Sequence, residues 1–366
     1  MTLTAQPEVV AQPDVVAAPA WQFFDASVAE VRRLSSSFVR LTLTGPELAG
    51  FGAAGCDQRF KLVLSRDDAG LDRLRDRGQD WYPEYCALPE EQRPVIRTYT
   101  VRAARPERAE LDVDVVLHGV DDGHAGPAAS WAAAAAPGDR IVLLGPDRPG
   151  AGRPWGVEWA PPPAARTLLL AGDETAVPAV CAILESLRGR PTTAAGASQR
   201  GGRRQGVSIA ASAGERGAER PRRRPGPRSE ERTEARSRTD GRGPRAVTAL
   251  LEVPEAGDAM DVALPAGATL RWLPRDGAVR GSRLVPAVHA ALCELGIAST
   301  PAAPPEEVGD ELLWEVPDTD AAAGCYAWLA GEAGVVKTLR RRLVGDLGVP
   351  RGSVAFMGYW RQGVAS

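Results

Sequence analysis

The 366-residue chain has five cysteines and three histidines, and neither type is grouped. Cys56, Cys86, Cys181, Cys293 and Cys325 lie far apart with no C-x-x-C or C-x-x-x-x-C spacing, which excludes an obvious zinc or iron–sulfur site. The same scatter argues against a disulfide framework and for a reducing, cytoplasmic setting. His118, His124 and His289 form no i, i+4 pair, so no protein-bound metal is expected. Nowhere do about 18 apolar residues run together, so no membrane span is expected. The first stretch carries Pro7, Pro13 and Pro19 but no basic region ahead of an apolar run, so a disordered tail over 1–19 is expected rather than a secretory leader. The glycine fingerprint G-x-G-x-x-G is also missing, and no dinucleotide site follows from a motif alone.

What is present is alternation. FVRLTLTG from Phe38, DQRFKLVLS from Asp57, RTYTVRAA from Arg97, LDVDVVLHG from Leu111 and RIVLLGP from Arg140 alternate apolar with polar residues, as half-buried antiparallel strands do. The charged stretch 67–93, with Trp81, Tyr82 and Tyr85, reads as a long loop over a site or a mobile crossover. The proline-rich Ala160 to Ala165 reads as a stiff joint between domains. Beyond it, apolar strands (RTLLLAG, AVTALLEV, ATLRWL, CYAWLAG, SVAFMGYW) interleave with helical patterns (AVPAVCAILESL, VPAVHAALCELG, GVVKTLRRRLVGDLG), which implies a doubly wound parallel sheet. The expected division is a first domain over 20–153, a linker over 154–165 and an α/β domain over 166–366.

One tract breaks the pattern. Gly189 to Arg245 holds 15 arginines against 6 acids and neither an aromatic residue nor a lysine; its net +9 within a chain of −3 leaves −12 for the rest. Such a tract buries too little apolar surface to offset ordering entropy, so a disordered insertion over 189–245 is expected. With no ring to stack on bases, and with its arginines diluted by glutamates, it is not read as a nucleic-acid arm.

Several stretches have the chemistry of a redox cofactor site. Arg97 and Tyr99 share one face of a strand and Thr100 the other, while Ser130 stands near the start of an Ala-rich helix. An aromatic wall, a fixed cation and helix-start N–H groups suit a flavin and its pyrophosphate. In TLLLAGDETAVPA a strand ends at Gly172, turns through Asp173 and Glu174, and offers Thr175 as a helix N-cap, at an edge where dinucleotides bind. WLAGEAGVVKTLRR makes a second such edge with Ala330 and Gly331; Val336, Leu339 and Leu343 should face inward and Lys337, Arg340 and Arg341 outward. GYWRQG places Tyr359, Trp360 and Arg361 at a third. Glu252 and Glu255, closing LLEVPE, favour ribose hydroxyls over a 2′-phosphate and tip the coenzyme toward NADH, against Arg271 and Arg275.

In this order, RTYTVR, DVDVVLHG, GPAASWA with PGDRI and LGP, LLLAGDETAVPA, AWLAGEAGVVKTLRR and GYWRQG resemble the siderophore-interacting proteins, flavin-dependent ferric-siderophore reductases with a ferredoxin-reductase-like fold. The resemblance covers about residues 20 to 188 and 246 to 363, and the Arg-rich tract departs from it. It implies a six-stranded antiparallel β-barrel that binds FAD, followed by an NAD(P)H-binding α/β domain. By motif, it places Arg97, Tyr99, Thr100, His118, Gly119, Gly126, Ala128, Ala129, Ser130 and Trp131 at FAD. Asp173, Glu174, Thr175, Ala330, Gly331, Glu332, Tyr359 and Trp360 would border NADH or NADPH, and Lys61, Arg59 and Arg361 an anionic ferric siderophore. A monomer without nucleic-acid or membrane partners is expected. Hydride donation brings two electrons and Fe(III) takes one; a flavin bridges the two counts, and with no cluster ligands in the chain it would be the sole redox centre. Two alternatives stay open at this point: a general flavin-linked reductase serving a quinone or protein partner, and a siderophore-binding protein without turnover.

Overall fold

Alternation in the first part of the chain produces a single antiparallel sheet. The computed structural model describes residues 21–65, 68–120, 123–147, 156–188, 246–295, 314–317 and 324–363. Strands β1 (Trp21–Arg33), β2 (Phe38–Thr44), β3 (Arg59–Leu64), β4 (Val95–Thr100), β5 (Ala103–Arg105), β6 (Glu110–Val116) and β7 (Arg140–Pro146) lie in the order β4-β3-β7-β1-β2-β6-β5. The sheet therefore has seven strands rather than six, the three-residue β5 being the extra one. It does not close: the terminal strands β4 and β5 share no ladder, leaving a seam where β4 faces β6 without pairing. Phe24, Leu41, Leu43, Phe60, Leu62, Val113, Val115 and Leu143 fill the curled interior. Each such side chain contributes about 1.5–3 kcal/mol by leaving water. β1, which pairs with both β2 and β7, is absent from the strands read in the sequence; a register shift between Val28 and Glu30 breaks its alternation.

The stretch expected as a long loop is helical instead. Helices α1 (Asp68–Asp76) and α2 (Trp81–Ala87) occupy it. Leu71 and Leu74, three apart in a charged sequence, are both buried, Leu71 against Val63 and Leu144, while Trp81 meets Phe23 edge to face. Helix α3 (Pro127–Ala134) starts with a proline, whose missing N–H is no loss in a first turn.

The second sheet runs β10 (Ala268–Pro274), β9 (Ala246–Val253), β8 (Thr167–Gly172), β12 (Cys325–Glu332), β13 (Val354–Trp360), β11 (Trp314–Glu315), all parallel except the short β11. Helices cover both faces. Leu168 and Leu170 of β8 pack with Val180, Ile183 and Leu184 of α4 (Val177–Arg188), whereas Leu169 and Ala171 join Leu284, Val288 and Leu292 of α5 (Leu284–Glu294) and Val336 and Leu339 of α6 (Ala333–Arg340). Fully apolar strands are what a sheet buried on both faces requires. Arg340, expected on a solvated face, is buried and paired with Glu315 at 3.0 Å.

The proline-rich joint is packed. Val157, Trp159 and Ala165 are buried in the core that α4 shares with Phe38 and Val116 of the first sheet. Buried Asp57 holds this stretch by accepting the N–H groups of Glu158 (3.2 Å) and Trp159 (3.0 Å) and the indole N–H of Trp328 (3.2 Å). Arg102 grips Glu185 of α4 with two bonds of 2.7 Å, and the Ser35 and Ser37 hydroxyls reach Asp258 at 2.6 and 2.9 Å. The tail 1–19 and the Arg-rich stretch 189–245 lie outside the described residues. Among the described residues no helix is long and apolar enough to cross a membrane.

Candidate active site

The open seam of the first sheet is one wall of a cleft of about 650 Å³, and the carboxyl edge of the second sheet is the other. From the first domain, Ile96 to Thr100 of β4 face Asp114 and Val116 of β6, followed by His118, Gly119 and His124. The chain can turn at Gly119 because its φ is +66° and a Cβ would stand 2.9 Å from the His124 carbonyl carbon. Gly126, Ala128 and Ala129 bring the start of α3 to the cleft; no side chain caps this helix, so its first-turn N–H groups remain directed outward. From the second domain come Thr175, Pro178, Trp314 and Gly358 to Arg361.

Most residues expected at a flavin therefore meet in one place: Arg97, Tyr99, Thr100, His118, Gly119, Gly126, Ala128 and Ala129 all line the cleft. Ser130 is exposed and does not. Trp131 lines a neighbouring cavity of about 530 Å³, which touches the cleft's lining at Pro127. Arg59 and Arg361 reach the cleft, whereas Lys61 stands behind Thr98, donating to its hydroxyl at 3.2 Å. Burial and the nearby Arg59 charge lower the Lys61 ammonium's pKa. The residues expected at the coenzyme divide. Thr175, Tyr359 and Trp360 line the cleft; Asp173, Glu174, Ala330, Gly331 and Glu332 form a buried layer behind it.

That layer has its own logic. The N-cap is Asp173 rather than Thr175: its carboxylate accepts the Thr175 N–H (2.9 Å) and hydroxyl (2.6 Å), the Glu332 N–H (2.8 Å) and the Trp360 indole N–H (3.1 Å). Burial, reinforced by the Glu174 charge, raises this carboxyl's pKa to about 6. Gly331, at φ +144°, has no room for a Cβ, which would lie 2.8 Å from the Asp173 carboxyl carbon. Glu332 caps α6 through the Val335 N–H (2.9 Å) and accepts the Gln362 N–H (3.3 Å).

Glu174 is fully buried and gathers Arg275 (2.7 and 3.0 Å), Arg280 and the Nδ1 of His118 (3.5 Å). Burial favours the neutral imidazole of His118, with the arginines adding to that and Glu174 opposing it; the net shift is downward. His118 stacks on Trp360 (5.1 Å, 31°), and Arg280 lies over the same indole at 4.6 Å. On the other side Arg59 pairs with Glu158 (2.6 Å) and covers Trp314 (4.4 Å), which stacks on Tyr359. Burial pushes the Tyr99 phenol up to about 12 and raises Tyr359 well above its ordinary value, so both rings stay neutral. No local pattern points to Trp314, which lies in a two-residue strand, or to Asp114, which is occupied by Arg40 (2.6 and 2.7 Å).

Comparison with known proteins bears on both domains. Residues 27–150 match the model of the siderophore-interacting FAD-binding domain, and residues 242–363 that of the siderophore-interacting protein. The chain belongs to the siderophore-interacting protein family. It is 34% identical over 155 residues to the ferric vibriobactin reductase ViuB of Vibrio cholerae (42% of this chain, 50% of that protein). It is 35% identical over 127 residues to the NADPH-dependent ferric-chelate reductase of Escherichia coli (34% and 45%). The matched part spans about half the length of these curated relatives or slightly less. The crystal structure of the siderophore-interacting protein SipS from Aeromonas hydrophila superposes with a TM-score of 0.52 at 26% identity, covering 94% of this chain and 93% of that one.

The cofactor of this family's first domain can be checked against the residues present. The Nε2 of His118 and the phenol oxygen of Tyr359 are buried at the cleft without a hydrogen-bond partner among the described residues. Arg97 makes no ion pair among the described residues, its bond going to the Ile96 carbonyl at 3.0 Å. Unpaired polar atoms, an available guanidinium and an uncapped helix start beside aromatic walls suit a flavin dinucleotide.

Proposed function

We propose that the chain is an FAD-dependent reductase that draws electrons from a nicotinamide coenzyme and passes them to a ferric siderophore, releasing Fe(II). The observation that carries this reading is the cleft: an open antiparallel seam supplies cation and helix-start donors, and the carboxyl edge of a doubly wound sheet faces it. The chemistry that FAD supplies when bound is conversion of a two-electron delivery into single-electron exits.

The chain's own residues hold and shield. Arg97 and the first-turn N–H groups of α3 would hold the pyrophosphate, with the small Ala128 and Ala129 letting it come close. Tyr99, Tyr359 and Trp360 exclude water with neutral rings. The unpaired His118 Nε2 and Tyr359 hydroxyl await hydrogen-bond partners. Thr175 borders the coenzyme, while Asp173, Glu174, Gly331 and Glu332 fix the edge on which it lies. Lys61, Arg59 and Arg361 draw an anionic chelate toward the cleft mouth. Oxygen donors of a siderophore bind Fe(III) far more strongly than Fe(II), so reduction itself loosens the metal. The protein is read as a cytoplasmic monomer; five free thiols support a reducing compartment.

Anaerobic reduction of several ferric siderophores by the purified flavoprotein and NADH or NADPH, followed with a ferrous-specific chelator, tests the proposal. The expected result is colour formation well above that from free FAD. A rate equal to free FAD with every chelate and both coenzymes would overturn it.

A further inference from the structure

The reaction releases a proton inside the cleft. A hydride carries two electrons and a proton; two Fe(III) centres take one electron each, so the balance is NAD(P)H + 2 Fe(III) → NAD(P)+ + 2 Fe(II) + H+. The group that takes this proton has to be a neutral base with a free lone pair at the cleft wall. Most candidates are occupied. Asp114 is held by Arg40, Asp173 accepts two donors of Thr175 and one each of Glu332 and Trp360, and Glu174 is gripped by Arg275 and Arg280. Lys61 bonds the Thr98 hydroxyl behind the cleft. Tyr99 and Tyr359 are phenols that burial keeps protonated.

His118 differs from all of these. Its Nε2 is shut off from bulk water and bonds nothing among the described residues, while Nδ1 lies 3.5 Å from the Glu174 carboxylate. A carboxylate beside Nδ1 favours the tautomer with the proton on that nitrogen, which leaves the Nε2 lone pair free. The turn that carries the ring is fixed by the His124 N–H on the Gly119 carbonyl (2.8 Å), and the ring lies against Trp360. Charges from both domains bias it. Burial, with the Arg280 and Arg275 charges, outweighs Glu174 and lowers the imidazole's pKa, so the resting ring is neutral and able to accept. From the first domain Arg97 on β4 and Asp114 on β6 line the same cleft, Asp114 answered by Arg40; Arg361 lines it from the end of β13, and Asp173 stands behind Trp360. Solvent reaches 35% of the His118 side chain, which gives an accepted proton a way out. His124 also lines the cleft, but its side chain is exposed.

We propose that His118 carries this proton out: Nε2 accepts it as the electrons leave for the acceptor, Glu174 balances the imidazolium, and the ring then releases a proton to solvent. The inference rests on reading the cleft as a flavin site reduced by hydride, and its test needs neither coenzyme nor siderophore. The full flavoprotein, titrated to complete reduction with dithionite, is mixed anaerobically with ferricyanide, a one-electron acceptor; flavin absorbance follows the electrons and a pH-indicator dye the proton. In the parent protein reoxidation should slow in acid, where His118 already holds a proton, and proton release should keep pace with it. His118→Gln, which keeps a polar side chain without a basic nitrogen, should slow reoxidation about 100-fold and remove the acid dependence. Added imidazole should restore part of the rate in His118→Ala. The flavin midpoint potential gives an equilibrium readout. Reduction places negative charge in the cleft and raises the affinity of His118 for a proton, so within about pH 5 to 8 the parent should take up more protons per two electrons than His118→Gln, approaching one extra. Equal proton uptake in both, unaltered reoxidation in His118→Gln, or the same loss in His124→Gln would overturn the assignment. Should the variants lose flavin, the parent decides alone, and a reoxidation rate flat across about pH 5 to 8 overturns it. Dependence on His118 without reduction of any ferric siderophore would sink the proposed reaction and leave this role standing; siderophore reduction indifferent to His118 would do the reverse.

Discussion

Replacing Glu174 by Gln tests the layer beneath the cleft. The side chain is fully buried and holds Arg275, which is itself only 7% exposed, in a two-bond ion pair, together with Arg280 and His118. Glutamine keeps the shape but removes the charge and offers one accepting oxygen where two are used. Breaking one side of a buried ion pair leaves an uncompensated charge and costs about 3–5 kcal/mol. For a domain of this size that is a fall of roughly 6–20 °C in melting midpoint, at about 2–4 °C per kcal/mol. The pH dependence adds a second readout. Burial alone would raise the Glu174 carboxyl, but the Arg275 hydrogen bonds and both arginine charges outweigh it and hold it below the ordinary range. A depressed folded pKa means that its contribution is present above the unfolded value and is lost as pH falls through the folded one. Thermal melts of parent and Glu174→Gln across pH 3–8 should therefore differ most at neutral pH and converge in acid. Pairing Glu174→Met with Arg275→Met should recover part of the loss, since the buried Arg275 charge is then removed with its partner and only the half-buried Arg280 is left unpaired. A neutral-pH difference that does not shrink in acid, or a double variant as unstable as the two singles summed, would refute the reasoning.

Three further outcomes follow from the same geometry. Gly331→Ala should destabilise the second domain by about 1–3 kcal/mol, because the new Cβ meets the Asp173 carboxyl in a backbone region closed to other residues, and tryptophan fluorescence should report the displaced Trp360. Arg97→Ala should weaken FAD binding about 10- to 100-fold with the melting curve unchanged, as measured by flavin-fluorescence titration; an unaltered dissociation constant would remove Arg97 from the pyrophosphate. Asp173 titrates in the opposite sense to Glu174. Its folded pKa of about 6 lies above the ordinary 3.8, so its contribution is complete below the ordinary value and lost as pH rises through 6; Asp173→Asn should flatten that part of the stability profile.

Periodicity and local pattern made much of the fold legible. The apolar runs of β8, β9, β12 and β13 are long enough and plain enough to name strands buried on both faces, and Val336, Leu339 and Leu343 point inward as their spacing requires. β1 escaped because its bulge breaks the alternation, α1 because charged residues outnumber its two buried leucines, and α2 because none of its residues is buried and it shows no apolar stripe. For the site, residue chemistry singled out β4, and the residues from Ile96 to Thr100 line the cleft at the sheet's unpaired edge. It misjudged the acids. Asp173, Glu174 and Glu252 stand at the strand ends where a coenzyme would be met, but each is consumed by N–H groups or arginines that arrive from distant parts of the chain. No local pattern records that a carboxylate is already satisfied.

This consumption of acids is what couples the two domains at the cleft. Trp360 is held at three places: its indole N–H on Asp173, one contact with His118 and one with Arg280. His118 follows β6 in the first domain, whereas Asp173 and Arg280 belong to the second. His118 and Arg280 meet at a single carboxylate, Glu174, so any shift of one domain against the other must move the ring or part His118 from Glu174. The first sheet leaves its seam open and cannot wall the cleft alone; the second sheet brings Trp360 and Tyr359 to that opening from the end of β13. A cleft assembled this way keeps its shape only while both domains hold their register. The chain secures that register with Asp57 on Trp328, Arg102 on Glu185 and the serine turn on Asp258. Rigidity is thus placed at the domain junction, directly behind the two rings that wall the cleft.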